Sequence, residues 1–293
     1  MAGGIFSYTN LVDLATTTLA AGTGVTYQAS LPLSNLKDHR VSNKARTTNT
    51  TNHMKFTLDF GTSQQIKCIA LMGMNFAQNF VADTAPALNA VVIVAGYSNV
   101  SPTGFEVGTE VVQYSDWSPR AIPPIVAYSP NNGAGFNVRY VNIETYWLLD
   151  TGVTYYEAGR LWVGNAIVLP GGVEEGWQQT IKDNSSIVRS RGGQIYSDIR
   201  ARYRSLRIEA SLLSQAQAIG DYSNLQLNFQ EMFLNAGNNS EVLVIPRSGA
   251  NSSFADNQLN SRLASYGVFT QEPVITNLPG NNYKVQMEIA DSL

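Results

Sequence analysis

The residue types that most often perform catalysis are scarce in this sequence. Only two histidines occur, His39 and His53, and both lie in a polar loop without the second and third partners that a base or a metal ligand needs. The sequence contains no Gly-x-Ser-x-Gly elbow, no phosphate-binding glycine loop that ends in Gly-Lys-Ser/Thr and no His-Glu-x-x-His motif. We therefore expect no catalytic residues and no enzymatic activity.

Carboxylates and cysteine add no site. The acidic pairs Glu174-Glu175 and Glu106/Glu110 are typical of solvated turns, because adjacent turn residues do not flank a sugar in a defined way. Cys68 is the only cysteine and lies in an apolar run, which predicts a buried and inert thiol. One cysteine forms neither an intramolecular disulfide nor a multi-cysteine zinc site. We expect no metal ion and no cofactor.

The loop from 37 to 54 concentrates side chains that could bind a ligand. If the first half of the chain has a ligand, we expect it in this loop. The candidate residues are Lys37, Asp38, His39, Arg40, Asn43 and Arg46. The alternative, which the sequence favours, is a loop that a neighbouring subunit orders.

Basic residues concentrate between 182 and 207, which holds seven of the 19 Lys and Arg residues. The arginines of this segment are Arg189, Arg191, Arg200, Arg202, Arg204 and Arg207. Arg200, Arg202 and Arg204 are spaced two apart, so on one strand their guanidinium groups would share a face. The pattern changes phase at Ser205-Leu206, which predicts a bulge there.

Three interpretations of this basic face remain open. Arginine is favoured in desolvated interface pairs because its planar fork binds carboxylates in a bidentate way, which favours contacts between subunits. A solvated strand face is the first alternative. A nucleic-acid contact is the second, although the net charge of −3 and the lack of a recognition helix count against DNA.

Aromatic residues crowd one region near the middle of the chain. They are Tyr146, Trp147, Tyr155, Tyr156 and Trp162. Exposed aromatic rings could stack on sugars, whereas packing in the core of a sandwich is the favoured interpretation. Leu161 and Trp162 are adjacent, so both face inward only if their strand is bulged.

A spacing of two residues between apolar side chains predicts that strands dominate the fold. Phe56, Leu58 and Phe60 alternate with polar residues, and so do Val285, Met287 and Ile289 in the run 284–290. Turn sequences separate such runs, with little helix between them. This order argues for β-sandwiches rather than alternating β/α units.

A helical stretch and one boundary organise the second half. The run 211–236 predicts one or two helices that pack on a sheet, with Ser223 or Asn224 as a cap and Gly237 at the end. Pro170-Gly171-Gly172 interrupts regular structure, so we divide the chain into 1–168 and 169–293. The second domain is then a β-sandwich with one or two helices.

The composition of the chain indicates what its surface faces. Charged residues make up 14% of it, against about 25% in soluble domains, and Asn, Thr, Ser and Gln fill the difference. Such a surface suits a subunit of a large assembly or a carbohydrate-facing β protein. Asp13 interrupts an N-terminus that has no early Lys or Arg, so we expect no signal peptide, and no apolar run is long enough to predict a membrane segment.

Several motifs of the first half resemble those of the discoidin-like, galactose-binding-like jelly roll of tailed-bacteriophage tail proteins. They are "YTNLVD" at 8–13, "LPLSNLKDHRVSNKART" at 31–47, "FTLDFGTSQQIKCIALMGMNF" at 56–76 and "YYEAGRLWVGN" at 155–165. The second half is similar to the second module of such proteins, in which an Arg-rich strand leads into a helix and a strand like "NNYKVQMEIAD" ends the chain.

The resemblance implies a structural virion protein of the tail tip or baseplate that is made in the bacterial host cytoplasm. It implies a homo-oligomeric ring whose partners are the tail tube, hub and fibres, and no enzyme, nucleic acid or membrane segment. The alternative is a carbohydrate-binding module that recognises host-surface glycans. The resemblance provides no complete set of sugar-binding residues around one pocket.

Overall fold

Strands dominate the part of the chain that the structure describes. The computed structural model describes residues 3–48, 54–75, 91–103, 107–114, 125–147, 155–169, 173, 177–198, 200, 202–221, 227–248 and 260–292. The strands of the first half are β1 (Gly3–Ser7), β2 (Thr18–Ala21), β3 (Ala45–Arg46), β4 (Met54–Ile66), β5 (Cys68–Met72), β6 (Val91–Ser98), β7 (Gly108–Tyr114), β8 (Ile125–Tyr128), β9 (Phe136–Trp147), β10 (Glu157–Ala158), β11 (Arg160–Gly164) and β12 (Ile167–Leu169). The strands of the second half are β13 (Trp177–Lys182), β14 (Ser186–Arg189), β15 (Ile195–Asp198), β16 (Tyr203–Leu213), β17 (Val242–Ser248), β18 (Ser265–Phe269), β19 (Val274–Leu278) and β20 (Asn282–Asp291). The α-helices are α1 (Gln215–Ala218) and α2 (Phe229–Ala236), and short 3-10 turns lie at Leu11–Asp13, Leu33–Lys37 and Pro130–Gly133.

The predicted alternation of apolar residues is confirmed where it was strongest. Phe56, Leu58 and Phe60 of β4 are buried, and the residues between them are partly exposed. β20 alternates in the same way along its whole length. The side chains of these strands therefore divide between a core face and a wetter face, as the pleat of a strand requires.

Two sheets of the first half form a sandwich. One has the strand order β2-β4-β9-β6-β7, the other the order β11-β5-β8, and the paired strands are antiparallel. Phe56 and Ile143 from the first sheet pack in one core with Leu71, Leu161 and Val163 from the second.

The three-stranded sheet is buried on both of its faces. Trp162, on the face opposite Leu161, packs with Ile5, Leu243 and Tyr266, which belong to the sheet of the second half. Strand β11 pairs with β5 over five successive residues without an irregularity. Leu161 and Trp162 are therefore both buried without a bulge, because both faces of the strand are covered.

An eight-stranded sheet joins the two ends of the chain. Its order is β12-β1-β17-β18-β20-β16-β13, and β19 pairs with β20. The N-terminal strand β1 pairs with β12 on one side and with β17 on the other. The division at 168 stays a prediction, and this sheet includes strands from both sides of it.

The helices cover the outer face of the eight-stranded sheet, as predicted. Phe229, Met232 and Ala236 of α2 pack on Phe6 and its neighbours in the sheet. The cap of α2 is Asn228, whose side chain accepts a hydrogen bond from the N–H of Glu231, and Gly237 ends the helix with φ of 51°. The end of α2 was thus predicted correctly and its start was not, while Ser223 and Asn224 lie outside the described residues.

Candidate functional site

The predicted ligand loop is held in place by contacts within the chain. Asp38 accepts hydrogen bonds from the N–H of Arg40 at 2.8 Å and from the side chain of Asn43 at 2.6 Å. Hydrogen bonds from Arg40, and then from Asn43, hold the pKa of Asp38 below its usual range. Lys37 donates to the carbonyl oxygen of Thr17 at 3.0 Å. These groups stabilise the turn rather than leave a ring of free donors and acceptors.

Near the end of the same loop, β3 pairs with β10, the short strand before β11. Arg46 donates to one oxygen of Glu157 from Nε at 2.9 Å and Nη2 at 2.6 Å. Its guanidinium carbon lies 4.0 Å from the centre of the Tyr155 ring. His39 is exposed, and its Nδ1 lies 2.8 Å from Oε2 of Glu241 in the second half. The loop therefore connects the two halves, and its role in binding a ligand stays a prediction.

The residues that carry the resemblance hold the sandwich together. The side chain of Asn10 donates to the carbonyl oxygen of Leu161 at 2.9 Å and accepts from the N–H of Val163 at 3.0 Å. Arg160 is fully buried and donates to both oxygens of Asp13, at 2.7 and 2.6 Å. The first motif is thereby fixed beside the last strand, as the resemblance implies.

Arg204 faces inward, whereas Arg200 and Arg202 are exposed, so the prediction that the three guanidinium groups share one face of a strand is wrong. Its Nε donates to Asp291 at 2.5 Å, and its Nη1 and Nη2 donate to the carbonyl oxygens of Arg262 at 3.0 Å and Ala264 at 2.9 Å. Arg204 has the same parity along β16 as the buried residues 206, 208 and 210. Burial of the guanidinium is possible because Asp291 compensates its charge and two carbonyl groups accept hydrogen bonds from it.

The predicted bulge at Ser205-Leu206 is also wrong. Pairing of β16 with β13 is regular from 203 to 208, and the irregularity with β20 falls between Ala210 and Leu213. Arg207 is exposed on β16 and lies opposite Glu288 in the register with β20. The phase change in the sequence thus reflects a buried arginine and not an inserted residue.

Arg200 and Arg202 precede β16 and fix the base of a hairpin. Nε of Arg202 donates to Asp183 at 2.8 Å, and Nε of Arg200 donates to Asp198 at 2.9 Å. The hydroxyl of Ser185 accepts from the backbone N–H of Arg200 at 2.9 Å. Hydrogen bonds from Ser185, and then from Arg202, lower the pKa of Asp183 to about 2. These bonds form a polar clasp between the two ends of the hairpin.

Residues 186–198 form the hairpin itself, the arm of this chain. Strands β14 and β15 form a two-stranded sheet of their own, with Arg189 opposite Ile195. The turn is closed by the N–H of Gly193, which donates to the carbonyl oxygen of Ser190 at 3.0 Å. Gly193 has φ of 82°, a conformation that favours glycine. The arm is therefore a formed β-hairpin.

The arm exposes large apolar side chains. Ile187, Val188, Ile195 and Tyr196 are each 58–71% exposed. Every residue of the arm is exposed except Ser190, which is half-buried. Sequence reasoning identified the arginines and missed these four residues. The available signal was the pair of β-prone runs on either side of Gly192-Gly193, in which neighbouring positions are both apolar.

A polar groove lies on the outer face of the five-stranded sheet. Its volume is about 180 Å³. Lys55 and Glu144 form an ion pair at 3.0 Å, and the hydroxyl of Thr57 donates to Oδ1 of Asn142 at 2.6 Å. The lining residues are Gly22, Thr23, Lys55, Phe56, Thr57, Thr103, Asn142, Ile143 and Glu144.

Other candidate groups are buried or lie outside the described residues. Trp162 and Tyr156 are buried, in line with core packing, and Cys68 is fully buried, as predicted. Burial raises the pKa of the Cys68 thiol to about 12. The structure does not describe His53, Glu106, Glu174, Glu175 or the side chains of Glu110, Tyr146 and Trp147.

The described ranges contain no group of three or more His, Cys, Asp and Glu residues that could hold a metal ion. No helix within them has the length and apolar character needed to cross a membrane.

No protein-family model matches the chain, and no curated protein matches it. Solved structures match it over about half of its length. A fucose-binding module of Streptococcus pneumoniae has a TM-score of 0.35 and 11% identity, over 54% of this chain and 96% of the module. Chitosan-binding module 1 of a chitosanase/glucanase from Paenibacillus sp. IK-5 has a TM-score of 0.35 and 16% identity, over 53% and 98%. The lectin domain of lectinolysin has a TM-score of 0.34 and 12% identity, over 53% and 96%.

The strands and sheets themselves show that the fold is mainly β, with a two-sheet sandwich in the first half of the chain. The predicted fold class is therefore confirmed.

Proposed function

We propose that this chain is a structural subunit of a larger protein assembly and that the arm is a docking element. The observation that carries the proposal is the exposure of four large apolar side chains on a formed hairpin. Soluble monomers rarely expose several large apolar side chains on one small element unless these mark an interaction site. Burial of these side chains by a partner would supply the driving force for association.

The kind of assembly is inferred from the sequence motifs. Both halves resemble tail proteins of tailed bacteriophages, so we propose a distal-tail or baseplate component of the virion that links tube, hub and fibres. The charge content of 14% and the many amide and hydroxyl side chains suit a domain that is surrounded by neighbours. Contacts through Arg189, Arg191 and Arg207 remain part of this proposal.

Sedimentation velocity of the full chain tests the assembly function. We expect the wild-type chain to form a discrete oligomer, and a variant with serine at all four apolar arm positions, Ile187, Val188, Ile195 and Tyr196, to sediment as a monomer. Leu234→Ser is the matched control, because Leu234 is also exposed, at 77%, but lies on α2. A wild-type chain that stays monomeric at every concentration would overturn the proposal.

A second candidate function is glycan binding in the polar groove. Its amide, hydroxyl and charged groups are suited to hydrogen bonds with sugar hydroxyl groups. Two observations make it the weaker candidate. The groove, at about 180 Å³, is smaller than the roughly 300–1,000 Å³ typical of ligand pockets. Among its described lining residues, Phe56 is the one aromatic residue, and it is buried in the sandwich core and offers no face for stacking.

A glycan array probed with the full chain tests this second function. Binding that is lost in Asn142→Ala and kept in Arg40→Ala would assign it to the groove. The opposite pattern would assign it to the loop from 37 to 54. Absence of binding to any glycan, together with an oligomeric wild-type chain, would remove this candidate.

A further inference from the structure

Both faces of the arm carry apolar side chains. Directly paired residues of an antiparallel ribbon lie on the same face. The register therefore puts Ile187, Arg189 and Ile195 on one face and Val188 and Tyr196 on the other. A partner that lay flat against one face would leave two large apolar side chains of the other face in water. The arm is suited to a partner that encloses it on both sides.

The charge of the chain is divided unevenly between the arm region and the rest. The arm itself, 186–198, contains two arginines and one aspartate and has a net charge of +1. The segment 182–207 around it contains seven basic and two acidic residues and has a net charge of +5, so the residues outside this segment have a net charge of −8. Arg200 and Arg202 are paired with Asp198 and Asp183. The two arginines of the arm are Arg189 and Arg191, and no ion pair to either of them occurs within the described part of the chain.

The uneven distribution of charge favours one of the two ways in which two copies of the chain could bind each other. A symmetric contact of one arm with the other would bring two positively charged segments together, which costs free energy. A contact of the arm with another part of a second copy brings opposite net charges together. The positively charged arm of one copy is thus complementary in charge to the acidic remainder of the next copy.

We propose that the arm inserts into a cleft on a second copy of this chain, outside that copy's own arm. The inference rests on the proposed assembly function and names the partner and the geometry. Such a contact is heterologous, because the two copies use different surfaces. Repetition of it closes into a ring or continues as a filament, whereas a symmetric arm-to-arm contact stops at a dimer.

Mixing the wild-type chain with an arm-deleted chain tests the direction of the contact. In the variant, Ser186–Asp198 is replaced by a short Gly-Ser linker, so that it keeps the cleft but has no arm to insert. We expect the variant alone to be a monomer. In about tenfold excess, the variant should bind wild-type arms by mass action. Because the variant has no arm to insert into a further copy, each complex should end at a variant chain, and the wild-type oligomers should become smaller.

The result that overturns the inference is an oligomeric wild-type chain that binds no arm-deleted chain, because only an arm-to-arm contact requires both arms. The assembly function would then stand. A wild-type chain that is monomeric would instead remove the assembly function. Circular dichroism checks that the arm-deleted chain is folded. If it is not folded, the mixing experiment uses the chain with serine at the four apolar arm positions instead.

Two paired substitutions test the enclosure of the arm. Ile187→Ser with Ile195→Ser changes one face, and Val188→Ser with Tyr196→Ser changes the other. Each pair removes two large apolar side chains, so each should weaken association by about tenfold or more. An effect confined to one pair would show that the arm lies flat on its partner and would contradict the cleft.

Discussion

Replacing Arg204 with alanine is expected to destabilise the fold of this chain rather than to weaken contacts between its copies. The guanidinium donates to Asp291 and to the carbonyl oxygens of Arg262 and Ala264. The side chains of Arg204 and Asp291 are only 9% and 1% exposed. Removal of Arg204 therefore leaves a carboxylate without its counter-charge in the interior.

The size of this effect follows from the burial of the pair. Removing one partner of a buried ion pair costs about 3–5 kcal/mol, because the remaining charge is neither solvated nor compensated. Arg202 and Asp183 offer the matched exposed pair, with side chains that are 64% and 39% exposed. Arg202→Ala should cost no more than about 1 kcal/mol. The two arginines lie two residues apart, so the comparison isolates burial.

Urea denaturation monitored by circular dichroism measures both free energies of unfolding. A third variant, Arg204→Met with Asp291→Leu, removes both charges and should recover most of the stability lost in Arg204→Ala, because no unpaired charge is then buried. Sedimentation of the same proteins shows whether association changes independently of folding.

One pattern of results would refute this reasoning. If Arg204→Ala cost less than about 1 kcal/mol and nevertheless abolished association, the guanidinium would act between subunits, as the alternation in the sequence first predicted. The buried pair with Asp291 would then not describe the folded chain.

Three further predictions concern other parts of the structure. Gly159→Ala should destabilise the chain by about 1–3 kcal/mol or more in urea, since the added Cβ would lie 1.8 Å from a backbone carbonyl oxygen, whereas Gly192→Ala, in the open turn of the arm, should change little. Cys68 should resist alkylation by iodoacetamide in the folded chain and react in urea, because burial raises its pKa to about 12; rapid reaction without urea would contradict its burial. Asp183 should titrate at about 2 by carboxyl NMR, and Ser185→Ala should raise that pKa. The ionised carboxylate thus stabilises the arm above the ordinary pKa of 3.8, and this contribution is lost only as the pH falls through about 2; a midpoint at 3.8 in the wild-type chain would contradict the clasp.

Strands with one wet face could be predicted from the sequence, because their alternation is a local property. β4 follows the predicted pattern from Met54 to Phe60, and β20 follows it along its whole length. Trp162 could not be oriented in this way. Whether two adjacent residues are both buried depends on a second sheet that covers the strand, and that sheet is built from β1, β17 and β18, which are distant in the sequence.

The arginines show the same limit for the candidate site. Their spacing is correct, but the burial of Arg204 depends on Asp291, which lies 87 residues away in the chain. Arg200 and Arg202 face solvent because the regular strand begins only at Tyr203. The exposure of the arm was equally hidden, since runs such as Ile187-Val188 have the composition of a core strand, and only the tertiary structure leaves them without a covering layer.

The most direct test of the assembly function is the mass distribution of single particles of the purified full chain, measured by mass photometry beside the variant with serine at Ile187, Val188, Ile195 and Tyr196. We expect discrete particles of several copies for the wild-type chain and particles of one copy for the variant; one copy of the wild-type sequence has a mass of 31.9 kDa. Single copies in both samples, or the same oligomer in both, would contradict the role of the arm in assembly.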